Sequence, residues 1–154
     1  MNIRKAGQDD LELLIKLRFD YLSEAGNPLS EAEKTRLREY MIPYFKKHFE
    51  DDTFIAILAE EKGIVAAVAF LAVSDMPASP SFPTGKIGTV LNVLSYPAFR
   101  RRGVATQVIE RILKEAQIQN VKTVRLSATK AGEPLYQKIG FSYAKHQAMT
   151  ITLP

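Results

Sequence analysis

The sequence predicts one mixed α/β domain in which a central sheet of about seven strands is flanked by about four helices. Apolar runs rich in β-branched residues alternate along the chain with longer amphipathic patterns of helical period. Strand-like runs occur in pairs towards both ends, with a strand–helix–strand unit between them. A length of 154 residues with 46% apolar and 25% charged residues is typical of one domain with its own core. The predicted order over residues 1–154 is β-α-α-β-β-β-α-β-α-β-β.

The first elements are an edge strand and a helix. Residues 1–5 form the predicted strand. Gly26 followed by Pro28 ends the helix in the usual order of stop signals. The helical spacing is carried along one face by Leu11, Leu14, Ile15, Arg18 and Leu22.

A second helix and a hairpin follow. Ser30 and Glu33 have the spacing of a capping box, which predicts the start of the helix. Pro43 within this helix predicts a kink or a break into two pieces. The apolar runs at 54–59 and 64–73 favour strands, and the short polar turn between them predicts a β-hairpin.

The second half of the chain returns to alternating strands and helices after a loop. Three prolines between residues 76 and 85 indicate a surface loop. The remaining predicted elements are a strand at 87–94, an amphipathic helix at about 104–119, a strand at 121–128, a short helix from Pro134 to near Gly140, and a closing hairpin of residues 141–143 and 148–153.

Composition narrows the possible chemistry. The sequence contains no cysteine, which excludes disulfides, thiolate metal ligands and a cysteine nucleophile. The two histidines, His48 and His146, lie far apart without metal-ligand spacing, so we expect no metal site. No apolar run is long enough to span a bilayer and no N-terminal segment resembles a signal peptide, so we expect a cytoplasmic protein without a membrane partner. The net charge of +4 does not by itself discriminate among anionic ligands.

Residues 91–105 carry the clearest functional pattern. They read LNVLSYPAFRRRGVA, which is a strand, a proline-bearing turn and a basic helix start that contains glycine. A helix start exposes unpaired N–H groups, and Gly103 lets a ligand approach the backbone. Arg100, Arg101 and Arg102 add bidentate donors for phosphate oxygens. The pattern indicates an anion site that needs no metal, and the other interpretation of the arginines is a solvated turn.

The same residues resemble the central motif of the GNAT superfamily of N-acyltransferases, R/Q-x-x-G-x-G/A between a fourth strand and a third helix. Arg100, Gly103 and Ala105 occupy its defined positions, with Pro97 at the expected place upstream. Residues 132–141 read GEPLYQKIGF and resemble the family's lYeklGF segment. The element order agrees with the family over essentially the whole chain.

This resemblance implies acetyl-coenzyme A (acetyl-CoA) as cofactor and a strongly bent sheet whose fourth and fifth strands splay apart. The freed edge of the fourth strand, residues 92–95, would bind the pantetheine arm as an added strand, and the pyrophosphate would lie on the amides of residues 101–106. The implied cofactor-binding residues are Val93, Leu94, Ser95, Arg100, Arg101, Arg102, Gly103, Val104, Ala105, Thr106 and Thr129.

The resemblance also implies direct attack of an amine on the thioester, without a covalent enzyme intermediate. Tyr136 matches the family tyrosine that acts as general acid, and the alternative is an aromatic side chain packed on the sheet. Asn92 is the second catalytic candidate, which would position water or the amine, and its alternative role is a hydrogen bond between strand and loop. The fourth strand lacks the glutamate of many relatives, so Asp75, Glu24 and Glu133 are considered as remote bases or as surface charges.

The implied acceptor is a primary amine of a small molecule or peptide. In similar proteins the acceptor pocket is built from segments that correspond to residues 23–30, 74–86 and 145–147. Glu24 and Asp75 in these segments would attract a cationic amine. A homodimer is compatible with the resemblance.

Two other functions remain open from the sequence. A non-catalytic module that binds acyl-CoA as a sensor would account for the missing carboxylate, whereas the presence of Tyr136 favours catalysis. A nucleic-acid-binding domain would need basic residues interleaved with aromatic residues on one face. Lysines and arginines are instead scattered and balanced by acidic residues, so we expect no nucleic-acid partner.

Overall fold

The structure is a computed structural model that describes all 154 residues, and a five-stranded sheet forms its centre. The strands lie side by side in chain order as β1 (Asn2–Lys5), β2 (Phe54–Glu61), β3 (Ile64–Asp75), β4 (Lys86–Ser95) and β5 (Val124–Arg125). The three pairs formed by β1 to β4 are antiparallel, and β5 is parallel to β4. A parallel pair needs a crossover connection, and the predicted strand–helix–strand unit supplies it.

Four helices accompany the sheet. They are α1 (Leu11–Ala25), α2 (Glu31–Glu50), α3 (Val104–Ile118) and α4 (Glu133–Ile139). Short 3-10 turns precede α1 and α3. The predicted mixed α/β fold with four helices is therefore confirmed. None of these helices combines the length and the apolar character needed to cross a lipid bilayer.

The start of α2 has the predicted capping box. Ser30 Oγ accepts from the Glu33 N–H at 3.1 Å, and the Glu33 carboxylate accepts from the Ser30 N–H at 3.1 Å. The predicted break at Pro43 does not occur, because α2 continues as one helix through this residue. Pro43 has no N–H to donate to the carbonyl oxygen of Glu39. Glu39 is exposed, so water can reach this carbonyl and take the place of the missing donor.

Two apolar cores lie on the two faces of the sheet. One is covered by α1 and α2, where Leu14 and Phe45 are buried, and the other by α3, where Ile112 is buried. Successive residues of β2 point to opposite cores, so that Ile57 faces α3 and Leu58 faces α1 and α2. A strand covered on both faces has a continuous apolar sequence rather than an alternating one, as β2 does.

The predicted hairpin joins β2 to β3. Glu61 pairs with Ile64, so the turn consists of Lys62 and Gly63. Both turn residues have positive φ, 51° and 76°. Such a turn matches the right-handed twist of the flanking strands. The turn therefore sets the pairing of the residues next to it, and a bulge between Ala59 and Glu60 shifts the register along the rest of the hairpin.

The seven-strand prediction is wrong at the C-terminal end of the chain. Residues 141–143 and 148–153 form no strand, and β5 has two residues instead of the predicted 121–128. Met149, Ile151 and Leu153 alternate with threonines, a pattern of high strand propensity, but they are 94%, 85% and 75% exposed. Propensity stabilises a strand only when its backbone has a partner and its side chains cover a core. The element order therefore agrees with the prediction only as far as α4.

Candidate active site

A groove of about 610 Å³ lies where the end of β4, the start of α3 and α4 meet. Glu24 of α1 and Gly132 also line it, but Asn92 and Arg102 do not. A second cavity of about 510 Å³, between α3 and the end of α4, contains none of the predicted residues. The predicted residues that the fold brings together along the first groove are Val93, Leu94, Ser95, Arg100, Arg101, Gly103, Val104, Ala105, Thr106, Thr129 and Tyr136.

The α3 end of the groove presents a row of free backbone donors. The six successive N–H groups from Arg101 to Thr106 have no acceptor in the protein, and helical bonding begins with the Gln107 N–H on Gly103 O at 3.2 Å. Gly103 has a φ of 72°, and a Cβ there would meet nothing within 4 Å, so the backbone conformation and not space favours glycine. Free N–H groups and the positive end of the helix dipole together form an anion site.

The three arginines before α3 have different surroundings. Arg100 pairs with Glu24 of α1, and Arg102 pairs with Glu61 at 2.7 Å. Arg101 has no carboxylate within 4 Å and is exposed. Ion pairs between side chains as exposed as these contribute little stability, so an anion can compete with Glu24 for Arg100. Arg101 is the arginine of the three that is free to contact a ligand without breaking an ion pair.

A bulge in β4 opens the opposite end of the groove. Asn92 and Val93 together stand opposite Ala69 of β3, and Asn92 has a φ of 57°. β4 pairs with β5 only through Gly88 and Thr89. Beyond Thr89 the edge of β4 has no strand beside it and faces the groove, which agrees with the predicted splay of the two strands.

Asn92 connects this bulge to α1. Its side chain is 1% exposed, and its Oδ1 accepts from Nη1 of Arg18 at 3.2 Å. Its Nδ2 lies 3.5 Å from the carbonyl oxygen of Leu17. The structure therefore supports a hydrogen-bonding role between elements for Asn92. The contact between Arg18 and Asn92 was not predicted, although Arg18 stands out in the sequence as a cation among apolar residues on one helix face.

Tyr136 lies in α4 with its side chain in the groove lining. The rings of Tyr136 and Phe141 pack edge to face with centroids 5.9 Å apart. Burial raises the pKa of the Tyr136 hydroxyl, and the charge of Tyr21 raises it further. The hydroxyl therefore stays protonated at neutral pH, which a general acid requires.

Thr129 stabilises the start of α4. Its Oγ1 accepts from the N–H of Gly132 at 3.2 Å, and its carbonyl oxygen accepts from the same N–H at 3.0 Å. A hydroxyl that accepts in this way keeps its own proton for another partner. Thr129 can therefore hold α4 in place and donate to a ligand in the groove at once.

The three carboxylates considered as bases lie in different places. Only Glu24 lines the groove. Glu133 accepts a hydrogen bond from the hydroxyl of Tyr143 at 2.8 Å, and Asp75 is an exposed residue at the end of β3. No group of three or more histidine, cysteine, aspartate or glutamate side chains is arranged to hold a metal ion.

Comparisons with known proteins find acetyltransferases that are similar to this chain in sequence and fold. The model of the Acetyltransferase (GNAT) family matches residues 14–141 of the chain. A predicted acetyltransferase solved with acetyl-CoA from Clostridium acetobutylicum has a TM-score of 0.86 and 28% identity, over 97% of this chain and 95% of that chain. A GCN5-related N-acetyltransferase from Ralstonia eutropha JMP134 has a TM-score of 0.82 and 27% identity over 97% of both chains.

A more distant likeness concerns the fold alone. Glucosamine-6-phosphate N-acetyltransferase from Arabidopsis thaliana has a TM-score of 0.68 and 17% identity, over 98% of this chain and 99% of that chain. None of the curated proteins compared with the chain matches it significantly.

Proposed function

Because the chain belongs to the GNAT family of acetyltransferases, we propose that it transfers the acetyl group of acetyl-CoA directly to a primary amine of a small molecule or peptide. The observation that carries this proposal is the row of six free N–H groups from Arg101 to Thr106, which opens onto the unpaired edge of β4. Acetyl-CoA is also the ligand of the similar protein from Clostridium acetobutylicum.

The groove fits the two parts of this cofactor for separate reasons. A diphosphate needs several converging donors, which the free N–H groups and Arg101 supply. A pantetheine arm carries amide groups, and the edge of β4 from Val93 to Ser95 offers backbone groups that an extended arm can pair with. Thr129 adds a hydroxyl across the groove.

Acetyl-CoA supplies an acetyl thioester, so transfer forms a bond between the amine nitrogen and the acetyl carbon while the carbon–sulfur bond breaks. The amine loses one proton, and the departing sulfur gains one. Tyr136 Oη donates that proton to the sulfur as the carbon–sulfur bond breaks, because its raised pKa keeps the hydroxyl protonated at neutral pH. The proton that the nitrogen releases then restores the Tyr136 hydroxyl. The chain has no cysteine to carry the acetyl group, so transfer is direct.

The proposal is tested by calorimetry with acetyl-CoA and by thiol release in the presence of a panel of amines. We expect acetyl-CoA to bind and at least one amine to release thiol. Tyr136→Phe should lower kcat by about 10²- to 10⁴-fold, the usual contribution of a general acid, and leave the acetyl-CoA Kd unchanged. Tyr40→Phe, at an 80% exposed tyrosine of α2, is the matched control.

Each negative outcome has its own meaning. Failure to bind acetyl-CoA would remove the enzyme proposal altogether. Binding without thiol release from any amine would indicate a module that binds acyl-CoA without catalysis. Full turnover by Tyr136→Phe would show that Tyr136 is not the general acid, and it would not affect the assignment of the cofactor site.

A further inference from the structure

Arg18 differs from every other arginine in the chain. Arginines that pair with a carboxylate are Arg4, Arg38, Arg100, Arg102 and Arg111. Three further arginines have no carboxylate partner but are exposed to water, namely Arg36, Arg101 and Arg125. Arg18 is partly buried, and no carboxylate oxygen lies within 4 Å of its guanidinium. A cation withdrawn from water without a counter-ion is unfavourable, so this position favours an anionic ligand.

The surroundings of Arg18 are polar but uncharged. Its Nη1 donates to Asn92 Oδ1 at 3.2 Å, and its guanidinium lies 5.8 Å from the ring centre of Tyr21. Burial lowers the pKa of Arg18, while electrostatic interactions with Tyr21 and Tyr44 act in the opposite direction. One hydrogen bond to an amide uses one of the five N–H donors of a guanidinium, which leaves most of the fork available.

Arg18 contacts the bulge of β4 next to the groove through Asn92, although neither side chain is part of the groove lining. Asn92, its hydrogen-bond partner, precedes Val93, which lines the groove. Tyr21, its aromatic neighbour, lies with its ring centre 5.8 Å from the guanidinium. Glu24, which pairs with Arg100, lies six residues further along α1, or about 9 Å along the helix axis. Arg18 is therefore separate from the arginines at the start of α3.

We propose that Arg18 binds an anionic group, a carboxylate or a phosphate, of the amine acceptor. The acceptor is then an amine that also carries a negative charge a short distance from its nitrogen. This inference rests on the proposed acetyltransferase function and adds the class of acceptor to it. Arg18 acts by holding the acceptor, and its hydrogen bond to Asn92 fixes one edge of the guanidinium at the bulge of β4.

The test compares acceptors with and without an anionic group. The carboxylate pair is β-alanine and its amide, and the phosphate pair is 2-aminoethyl phosphate and ethanolamine. For wild type we expect kcat/KM to be at least about tenfold higher for the anionic member of one pair, as a charge-assisted hydrogen bond would give. The pair that shows the preference identifies the anionic group. Calorimetry of each amine on the protein saturated with CoA gives the same comparison without turnover.

Three variants separate anion binding from a structural role. Arg18→Gln should lose the preference for the anionic member through KM while keeping the acetyl-CoA Kd and the rate with the neutral amine. Arg18→Lys, which keeps the charge, should restore part of the preference. Arg36→Gln, at an exposed arginine of α2, should keep all of it.

The outcomes that overturn the inference differ from those that overturn the function. No preference in wild type by either measurement, or an equal loss with both members in Arg18→Gln, removes the anionic acceptor. Loss of acetyl-CoA binding by wild type removes the acetyltransferase itself. Binding of acetyl-CoA with acetylation of charged and neutral amines alike leaves the function standing and rejects only the role of Arg18.

Discussion

At the scale of single residues, the position of the Tyr136 ring depends on Gly132. A Cβ on Gly132 would lie 3.0 Å from Tyr136 Cε2 and 3.3 Å from Thr129 Oγ1. Gly132 has a φ of −85°, which alanine adopts without strain. The space that the ring and the threonine occupy, and not the backbone, is therefore what requires glycine here.

Gly132→Ala should therefore lower turnover by moving the Tyr136 ring. We expect kcat to fall by about 10- to 100-fold, since displacements of about 1 Å in a reacting group have effects of that order. The measurement is steady-state kinetics alongside the Kd for acetyl-CoA, which should change little. Gly7→Ala, where a Cβ meets nothing within 4 Å, is the control. An unchanged kcat in Gly132→Ala would show that the ring has room to adapt.

Single residues also show where sequence analysis succeeds and fails. Gly103 and Tyr136 were predicted because local motifs specify them, and the structure places both in one groove. The role proposed for Arg18 was not predicted, because it depends on a guanidinium that has no carboxylate partner. Only the folded chain shows which charges remain unpaired. The need for glycine at position 132 was not predicted, because the ring that fills the space beside it comes from the next turn of α4.

At the scale of secondary-structure elements, the start of α3 provides the sharpest test of the anion site. Gly103 has a φ of 72° and open space around it, and Gly63 in the β2–β3 turn has a φ of 76° and open space as well. The same substitution at the two positions carries the same backbone strain, about 1–2 kcal/mol. Any difference in cofactor binding between the two variants is then due to the site.

Gly103→Glu should weaken acetyl-CoA binding by about tenfold or more, because a carboxylate beside the free N–H groups opposes a diphosphate. Gly63→Glu should bind acetyl-CoA as wild type does. Calorimetry gives both affinities, and thermal unfolding should show similar losses of Tm for the two variants. Equal affinities would place the pyrophosphate elsewhere.

Elements with strong internal signals were predicted well. The capping box of α2, the apolar stripe of α3 and the β2–β3 turn depend on neighbouring residues, and each occurs as expected. The strand predicted at 148–153 failed for the opposite reason. Its alternating pattern is local, but a strand needs a partner backbone that no local pattern specifies. The bulge at Asn92 likewise follows from pairing with β3.

At the scale of the whole molecule, ion pairs fasten the edge strand β1 to elements on both sides. Arg4 pairs with Asp10 at 2.9 Å and with Glu60 at 3.0 Å, and Lys5 pairs with Glu115 of α3 at 3.3 Å. Hydrogen bonds from Arg4 hold the pKa of Asp10 below its ordinary value. None of these residues lines the groove. Changes in this network should therefore alter the stability of the fold without altering the affinity of the site.

Glu115 is the most buried member of this network, with a side chain 9% exposed. Burial by itself raises its pKa, but hydrogen bonds from Arg111 and Lys5 outweigh burial and hold the pKa below its ordinary value. A carboxyl whose pKa is lowered by folding stabilises the protein above its unfolded pKa of about 4 and loses that contribution as pH falls through the folded pKa. The free energy of unfolding should accordingly decrease as the solution is acidified below about pH 5.

Glu115→Gln should therefore destabilise the protein at pH 7 by about 1–3 kcal/mol, because two cations lose their shared anion. The deficit relative to wild type should shrink as pH falls below about 4, where the wild-type carboxyl is itself becoming protonated. Urea unfolding between pH 3 and pH 7 measures both effects, with Glu110→Gln, at an exposed glutamate of the same helix, as control. A deficit that stays constant across this range would show that Glu115 acts by packing and hydrogen bonding and not by its charge. The acetyl-CoA Kd at pH 7 should match wild type in both variants, since β1 and this face of α3 lie outside the groove.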